Sequence, residues 1–440
     1  MKPLLVIAII FGGAVFLMAW RRRHYILALA VLLIISYELP GAILHQLPLP
    51  TILEVAQKIF VEFATEKYIN MLAVAVLVTL VSMSFSYVAR LPRRRVTRTA
   101  KLDPAASATD FVPLASALLV FGLISVGTNA GQIRLLDYEG LELRTIPVYG
   151  YGLLLLVVIG ILLIWAAEQR RVWALIALLL VAAPISYEAF ISSKRQIFAP
   201  LILEFLLYFL YSPRIKKKLL WISGSAALML GFFAVQFLAR IELGAVDIGD
   251  TPIELLLLPQ LGEFIGVGST TLYSLALVDS RRVAYGVNLA LALLNSVPYA
   301  KLGTLFFPEQ VSTFADFQKQ LAPYGAFSTM AEAWWTFQWL GIVLLGVFLG
   351  LLLRAAHRQL RIAFSTRVSL DSVSVYWLCL TASLFVKYRS GIGDMIQTTV
   401  AFSLLYWALV IPGILLRRSF TASTLARIEI VPDVPIDRMT

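Results

Sequence analysis

The sequence predicts an all-α fold, a polytopic transmembrane helix bundle of about 11 spans (possibly 13) with one large loop on its outer face. Three observations predict it. The 440 residues are 60% hydrophobic with mean hydropathy +0.84, and only 14% are charged. Apolar runs long enough to cross a bilayer recur along the chain. Basic clusters follow these runs in alternation, as topology signals do. A soluble domain of this length does not bury so much apolar surface.

The predicted spans are 3–20, 25–46, 70–89, 111–129, 147–167, 172–190, 197–212, 219–238, 333–353, 372–387 and 395–416. The first could pass for a signal peptide. It lacks a clean small-residue cleavage site and ends in Arg21–Arg23, which suits a retained span. Further clusters are Arg90–Lys101, Arg170-Arg171, Arg214 with Lys216–Lys218, Arg354–Arg367 and Arg417–Arg438. Together these clusters hold 23 of the 37 basic residues but only seven of the 26 acidic ones. That asymmetry places the N-terminus outside and the C-terminus inside. It also turns the net charge of +11 away from nucleic acid, because the cations are dispersed between spans.

Residues 1–418 therefore read as a single transmembrane domain, and 419–440 as a short cytoplasmic tail. Residues 239–332 are too long for a turn and too apolar for a soluble loop. Leu255–Leu258 and Leu289–Leu294 are expected to dip into the bilayer or lie along it. If both 253–278 and 283–300 cross, the count becomes 13; if only one crosses, the sidedness after it inverts.

Several cations break the topology rule by falling near helix ends on the outer face: Lys194, Arg195, Arg240, Arg281, Arg282 and Arg389. Lys194-Arg195 lies in a very short turn with no acidic residue adjacent. One explanation is a ligand with several negative charges, since the guanidinium fork grips two phosphate oxygens at once. The other is snorkelling to lipid headgroups or pairing with nearby acids. Arg281-Arg282 follow Asp279, Arg240 is close to Glu242, and Arg389 precedes Asp394.

Acid–base work at the same face would fall to Glu332, Glu263 or Glu188, since a carboxylate at the membrane edge becomes a better proton acceptor. Bonding to neighbouring backbone is the alternative for each. Glu204, well inside a span, is expected to pair within the bundle. Tyr324, Trp334, Trp335 and Trp339 cluster where the loop meets the ninth span, as an interfacial aromatic belt or a sugar-stacking platform. His24 and His357 fall on the cytoplasmic side and His45 near the outer one; no pair has metal-ligand spacing, and no metal or other cofactor is expected. Cys379 is single, which excludes a disulfide framework within the chain. No Walker loop or Gly-x-Ser-x-Gly occurs, so neither ATP drive nor serine hydrolysis has support.

The stretch Pro323-Tyr324-Gly325-Ala326-Phe327-Ser328-Thr329-Met330-Ala331-Glu332-Ala333-Trp334-Trp335, continuing to Gly341, Gly346 and Gly350, resembles the segment closing the large periplasmic loop of O-antigen polymerases, the Wzy-type repeat-unit polymerases. Ser192–Arg195, Tyr388–Asp394 and Ala284-Tyr285-Gly286 to Pro298 resemble further segments of that family. Phe337-Gln338-Trp339 departs from the Asn-Phe-Gly-like string more usual there.

The resemblance covers about 180–416 and implies a metal-independent integral-membrane glycosyltransferase, GT-C-like, in the bacterial inner membrane with a lipid-facing cavity. It would join undecaprenyl-diphosphate-linked oligosaccharide repeat units on the periplasmic face into O-antigen or a related surface polysaccharide. Membrane lipids and a chain-length regulator would be its partners. Arg195 and Arg389 would stabilise the departing diphosphate, with Lys194, Arg240 and Arg282 in support. Glu332 would orient or deprotonate the acceptor hydroxyl, and Tyr324 and Trp335 would contact glycan. An O-antigen ligase is the neighbouring reading, which the absence of His from 239–332 disfavours. A transporter or flippase of an anionic lipid-linked substrate should show inverted repeats, which the sequence lacks. A structural scaffold would explain the spans but not the outer cations.

Overall fold

The structure, a computed structural model, describes residues 2–44, 65–89, 195–212, scattered positions from 220 to 231, 258–278, 282–297, 301–322, 327–365 and 372–428. Lys194, Arg240 and Tyr324 lie outside them, as do Glu188 and the predicted spans 111–129, 147–167 and 172–190. For Arg195 and Glu263 only the backbone is described.

The described residues are helical, with no strand among them. In chain order the helices are α1 (Pro3–Arg21), α2 (Tyr25–Glu38), α3 (Pro40–Leu44), α4 (Glu66–Val88), α5 (Arg195–Tyr211) and α6 (Leu258–Leu277). They continue with α7 (Val287–Leu294), α8 (Leu302–Phe306), α9 (Pro308–Leu321), α10 (Thr329–Ser365), α11 (Ser372–Lys387) and α12 (Ile392–Ile428). A 3-10 turn, Tyr388–Ser390, joins the last two.

Among the described residues four stretches are long and apolar enough to cross a membrane: Pro3–Arg21, Glu66–Val88, Thr329–Ile362 and Ile392–Leu415. Apolar side chains on these helices stay open, with Ile10 65% and Phe85 77% exposed, a surface suited to hydrocarbon. Within 283–300 the helix is α7, whose eight residues reach about 12 Å and do not cross a bilayer by themselves. The predicted tail begins at 419, but α12 runs on to Ile428. Nothing between Arg417 and Ile428 breaks a helix, and Pro432 is the first residue that would.

The centre of the bundle is α4 against α10. Gly346 and Gly350, four residues apart on α10, face Thr79, Ser82, Met83 and Ser86 of α4. A Cβ on Gly346 would sit 2.7 Å from the Thr79 carbonyl oxygen and on top of the Ser82 hydroxyl. A Cβ on Gly350 would overlap Ser86 Oγ and the Met83 carbonyl. The hydroxyls of α4 turn back onto their own helix, Thr79 to Ala75 O at 2.9 Å and Ser82 to Val78 O at 2.7 Å. They are thereby satisfied without a partner from α10, and small residues on both sides let the backbones approach. Gly350→Leu is expected to cost about 1–3 kcal/mol by forcing the helices apart, with Gly350→Ala less damaging. The midpoint of thermal unfolding in detergent checks that ranking.

Hydrogen bonds fix the direction of the helices. His24 before α2, Tyr87 near the end of α4, Tyr211 at the end of α5 and His357 late in α10 meet at one end. Arg21–Arg23, Arg354, Arg358 and Arg361 belong to this basic end, so clusters that the sequence placed on one face do share one. Glu38 at the end of α2 and Ser328 before α10 meet at the other end. The N-terminal turns of α4 and α1 lie there too, tied by Lys2 and Glu66 at 2.9 Å.

Candidate functional site

The end opposite the basic cluster is organised by two buried carboxylates. Glu38 is fully buried. Its Oε1 accepts from Ser328 Oγ at 2.6 Å and Tyr388 OH at 3.1 Å, and its Oε2 accepts from Thr271 Oγ1 at 2.6 Å. Residues from α2, α6, the α10 cap and the 388–390 turn therefore meet on one side chain. Ser328 is the N-cap of α10: its hydroxyl also accepts from the backbone N–H of Met330 at 3.1 Å. Its own N–H donates to Thr270 Oγ1 at 3.1 Å. Burial first, and then the neighbouring Glu38, push the Tyr388 phenol well above its ordinary range, so it stays protonated and donates.

Glu332, one helical turn further along, is 6% exposed. Asn288 Nδ2 of α7 donates to its Oε1 and the Gly393 N–H to its Oε2, both at 2.9 Å. Gly393 is in the first turn of α12, where backbone N–H groups have no partner within the helix. The carboxylate thus caps α12 from another helix and meets the positive end of its dipole. Asn288 Nδ2 also reaches Thr336 Oγ1 at 3.0 Å, and that hydroxyl donates to the Glu332 carbonyl at 2.7 Å.

Gly391 admits this arrangement. Its φ of +99° belongs to the region that L side chains avoid, and a Cβ there would overlap Glu332 Oε2. The Arg389 turn is held from a third side by Thr329 Oγ1, which donates to the Tyr388 carbonyl. Asp394, in the first turn of α12, pairs with Lys387 at 3.3 Å. Arg389 itself is half-buried at this end.

Trp335 also belongs to this junction. Its indole N–H donates to the Arg282 carbonyl at 3.1 Å, and its carbonyl accepts from Ala284 N at 3.0 Å. Phe314 and Phe317 of α9 lie with ring centroids 5.3 Å from it, and Phe327 at 6.1 Å. Trp335 is 3% exposed, so the expected glycan contact is not available to it; it anchors α9 and the 282–286 strap to α10. Trp334 is likewise enclosed, at right angles to Trp339. Arg282 is exposed beside this junction. Glu204 finds its expected partner within the bundle, accepting from Cys379 Sγ at 2.8 Å.

Immediately after Trp335 and Thr336 the helix breaks. Phe337 and Gln338 leave helical geometry, and Gln338 has φ +50° and ψ −130°, a conformation glycine favours. The break falls on the Phe337-Gln338-Trp339 string that departs from the family pattern.

Three of the four stretches that carry the family resemblance therefore touch one another, through 284–288, 327–336 and 388–394. Arg389 is in the last of them, and Arg282 stands two residues before the first. Arg195 starts α5, whose other end is Tyr211 at the basic end, so its backbone lies toward the carboxylate end as well. Sequence reasoning missed Glu38, Thr271 and Asn288. The signal for Glu38 was present, an acidic residue closing an apolar run. Among the described residues no cluster of His, Cys, Asp or Glu has the makings of a metal site. The fold and this junction define the class, a membrane-embedded helical protein with a polar, cation-flanked end. No protein-family model, curated protein or solved structure matches the chain.

Proposed function

We propose that the protein is a repeat-unit polymerase of surface polysaccharide, working on the outer face of the bacterial inner membrane. It joins undecaprenyl-diphosphate-linked oligosaccharides by glycosyl transfer. An acceptor hydroxyl attacks the anomeric carbon of the donor glycan, the bond to the lipid diphosphate breaks, and the hydroxyl proton ends on the departing diphosphate or on water. The observation that carries this reading is the meeting of residues 284–288, 327–336 and 388–394, with Arg282 and Arg389 beside it at one end of the bundle.

Negative charge gathers on the diphosphate as the glycosidic bond breaks, so fixed guanidinium groups lower the barrier. Arg389 takes that role together with Arg195, and Arg282, Lys194 and Arg240 add binding. Glu332 is a positioning residue in this scheme: its Oε2 holds the Gly393 N–H just after the turn that carries Arg389, and its Oε1 is taken by Asn288 of α7.

Arg389→Ala and Arg195→Ala in the native host, with surface polysaccharide resolved on a gel, test the proposal. The expected result is loss of the long-chain ladder with single-repeat material retained, at a cost of about 100-fold or more in polymer formed. An unchanged ladder in both variants sinks the assignment. Loss of single-repeat capping as well points to a ligase.

A further inference from the structure

The opposite end of the bundle holds a second polar cluster, which the polymerase reading does not use. His24 Nδ1 lies 3.0 Å from His357 Nε2 and 3.0 Å from Tyr87 OH. Tyr211 OH lies 2.5 Å from His357 Nδ1. The two imidazole rings are 4.6 Å apart, so the α1–α2 turn, α4, α5 and α10 all converge on them.

The charges that act on these four rings are positive: Arg361 on all of them, Arg354 on Tyr87, and Arg22 on His24. Tyr25 is the other titratable group beside Tyr211. Among the described residues no carboxylate acts on the cluster. Arg354 Nη1 is buried without a hydrogen-bond partner among the described residues. A guanidinium N–H in that position costs free energy until it meets an acceptor. Cations, phenols and imidazoles are thus gathered here with no anion beside them among the described residues.

We propose that Arg354, Arg361, His24 and His357 form a binding site for a phosphate-bearing anion at the basic end of the bundle. Guanidinium groups suit phosphate oxygens because they donate from a planar fork. The imidazoles fit as well. If Tyr211 OH donates to His357 Nδ1, His357 carries its proton on Nε2 and donates to His24 Nδ1, an acceptor it shares with Tyr87 OH. His24 then carries its proton on Nε2, which takes part in neither contact and is a donor for the anion.

Binding also couples to protonation. Burial first, then the charges of Arg361 and Arg22, hold His24 below its ordinary value. A bound anion opposes both charges and favours a proton on the imidazole pair, so affinity rises as pH falls. An anionic phospholipid headgroup and a free phosphate ester present the same oxygens.

The test uses the full chain in phosphatidylcholine nanodiscs. One arm titrates inorganic pyrophosphate and follows heat or thermal unfolding. The other adds phosphatidylglycerol and follows its retention by native mass spectrometry. Saturable binding in either arm is expected, and the arm that responds identifies the source. Arg354→Gln and Arg361→Gln should each weaken it about tenfold. Arg361 is exposed, so Arg361→Gln decides the matter where Arg354→Gln does not fold. Binding should be tighter at about pH 6 than at about pH 8. Absence of saturation in both arms, or unchanged binding in the arginine variants, overturns the site. Binding that ignores pH overturns the part given to the histidines. None of these outcomes depends on polymerase activity, which belongs to the other end.

Discussion

Glu332→Ala is expected to destabilise the protein by about 3–5 kcal/mol, because it removes one of the two acceptors of the buried Asn288 amide and leaves the Gly393 N–H buried without one. Glu332→Gln is expected to cost only about 1 kcal/mol. The difference follows from Asn288. Its Oδ1 is buried without a partner among the described residues, so turning the amide over offers an acceptor to the new Gln nitrogen. The Gln oxygen still accepts from Gly393. Thermal unfolding in detergent measures the two costs. If Glu332 acts by positioning Arg389, the polysaccharide ladder survives in Glu332→Gln and is lost in Glu332→Ala. A folded Glu332→Gln protein without a ladder would return this carboxylate to proton transfer.

Glu38→Leu should be comparably severe, at about 3–6 kcal/mol, because it strands the hydroxyls of Ser328, Thr271 and Tyr388 together. Tyr388→Phe removes one of the three bonds and should cost about 1 kcal/mol. Glu38→Gln should fall between them, since an amide oxygen still accepts from Ser328 and Tyr388. The ranking is readable from unfolding midpoints and from steady-state protein level. Equal losses in all three variants would show that Glu38 does not tie these elements together.

Much of the helical frame was legible in the sequence. The runs at 3–20 and 70–89 correspond to Pro3–Arg21 and Glu66–Val88 because uninterrupted apolarity is a local signal. The end of α12 was missed because residues after Arg418 are polar but still compatible with a helix. Glu332 stood out as an acid among apolar neighbours, but its partners did not, lying 44 and 61 residues away. The two histidines were assigned to one face without any hint that they touch across 333 residues. Trp335 illustrates the limit from the other side. Its place in an aromatic cluster was visible, but only the return of α9 over it shows that the ring is enclosed.

The cap that Glu332 provides also constrains how the chain assembles. The carboxylate leaves the ribosome with α10, before the residues of α12 whose N–H groups it accepts. The Asn288 amide has already been made by then, but half of the Glu332 environment has not. Thr329 likewise waits for the Tyr388 carbonyl. Until the last span inserts, the upper turn of α10 carries unmet polar groups at membrane depth. The α11–α12 hairpin therefore completes this junction, and a nascent chain that stalls before it remains marked by these exposed groups as unfinished.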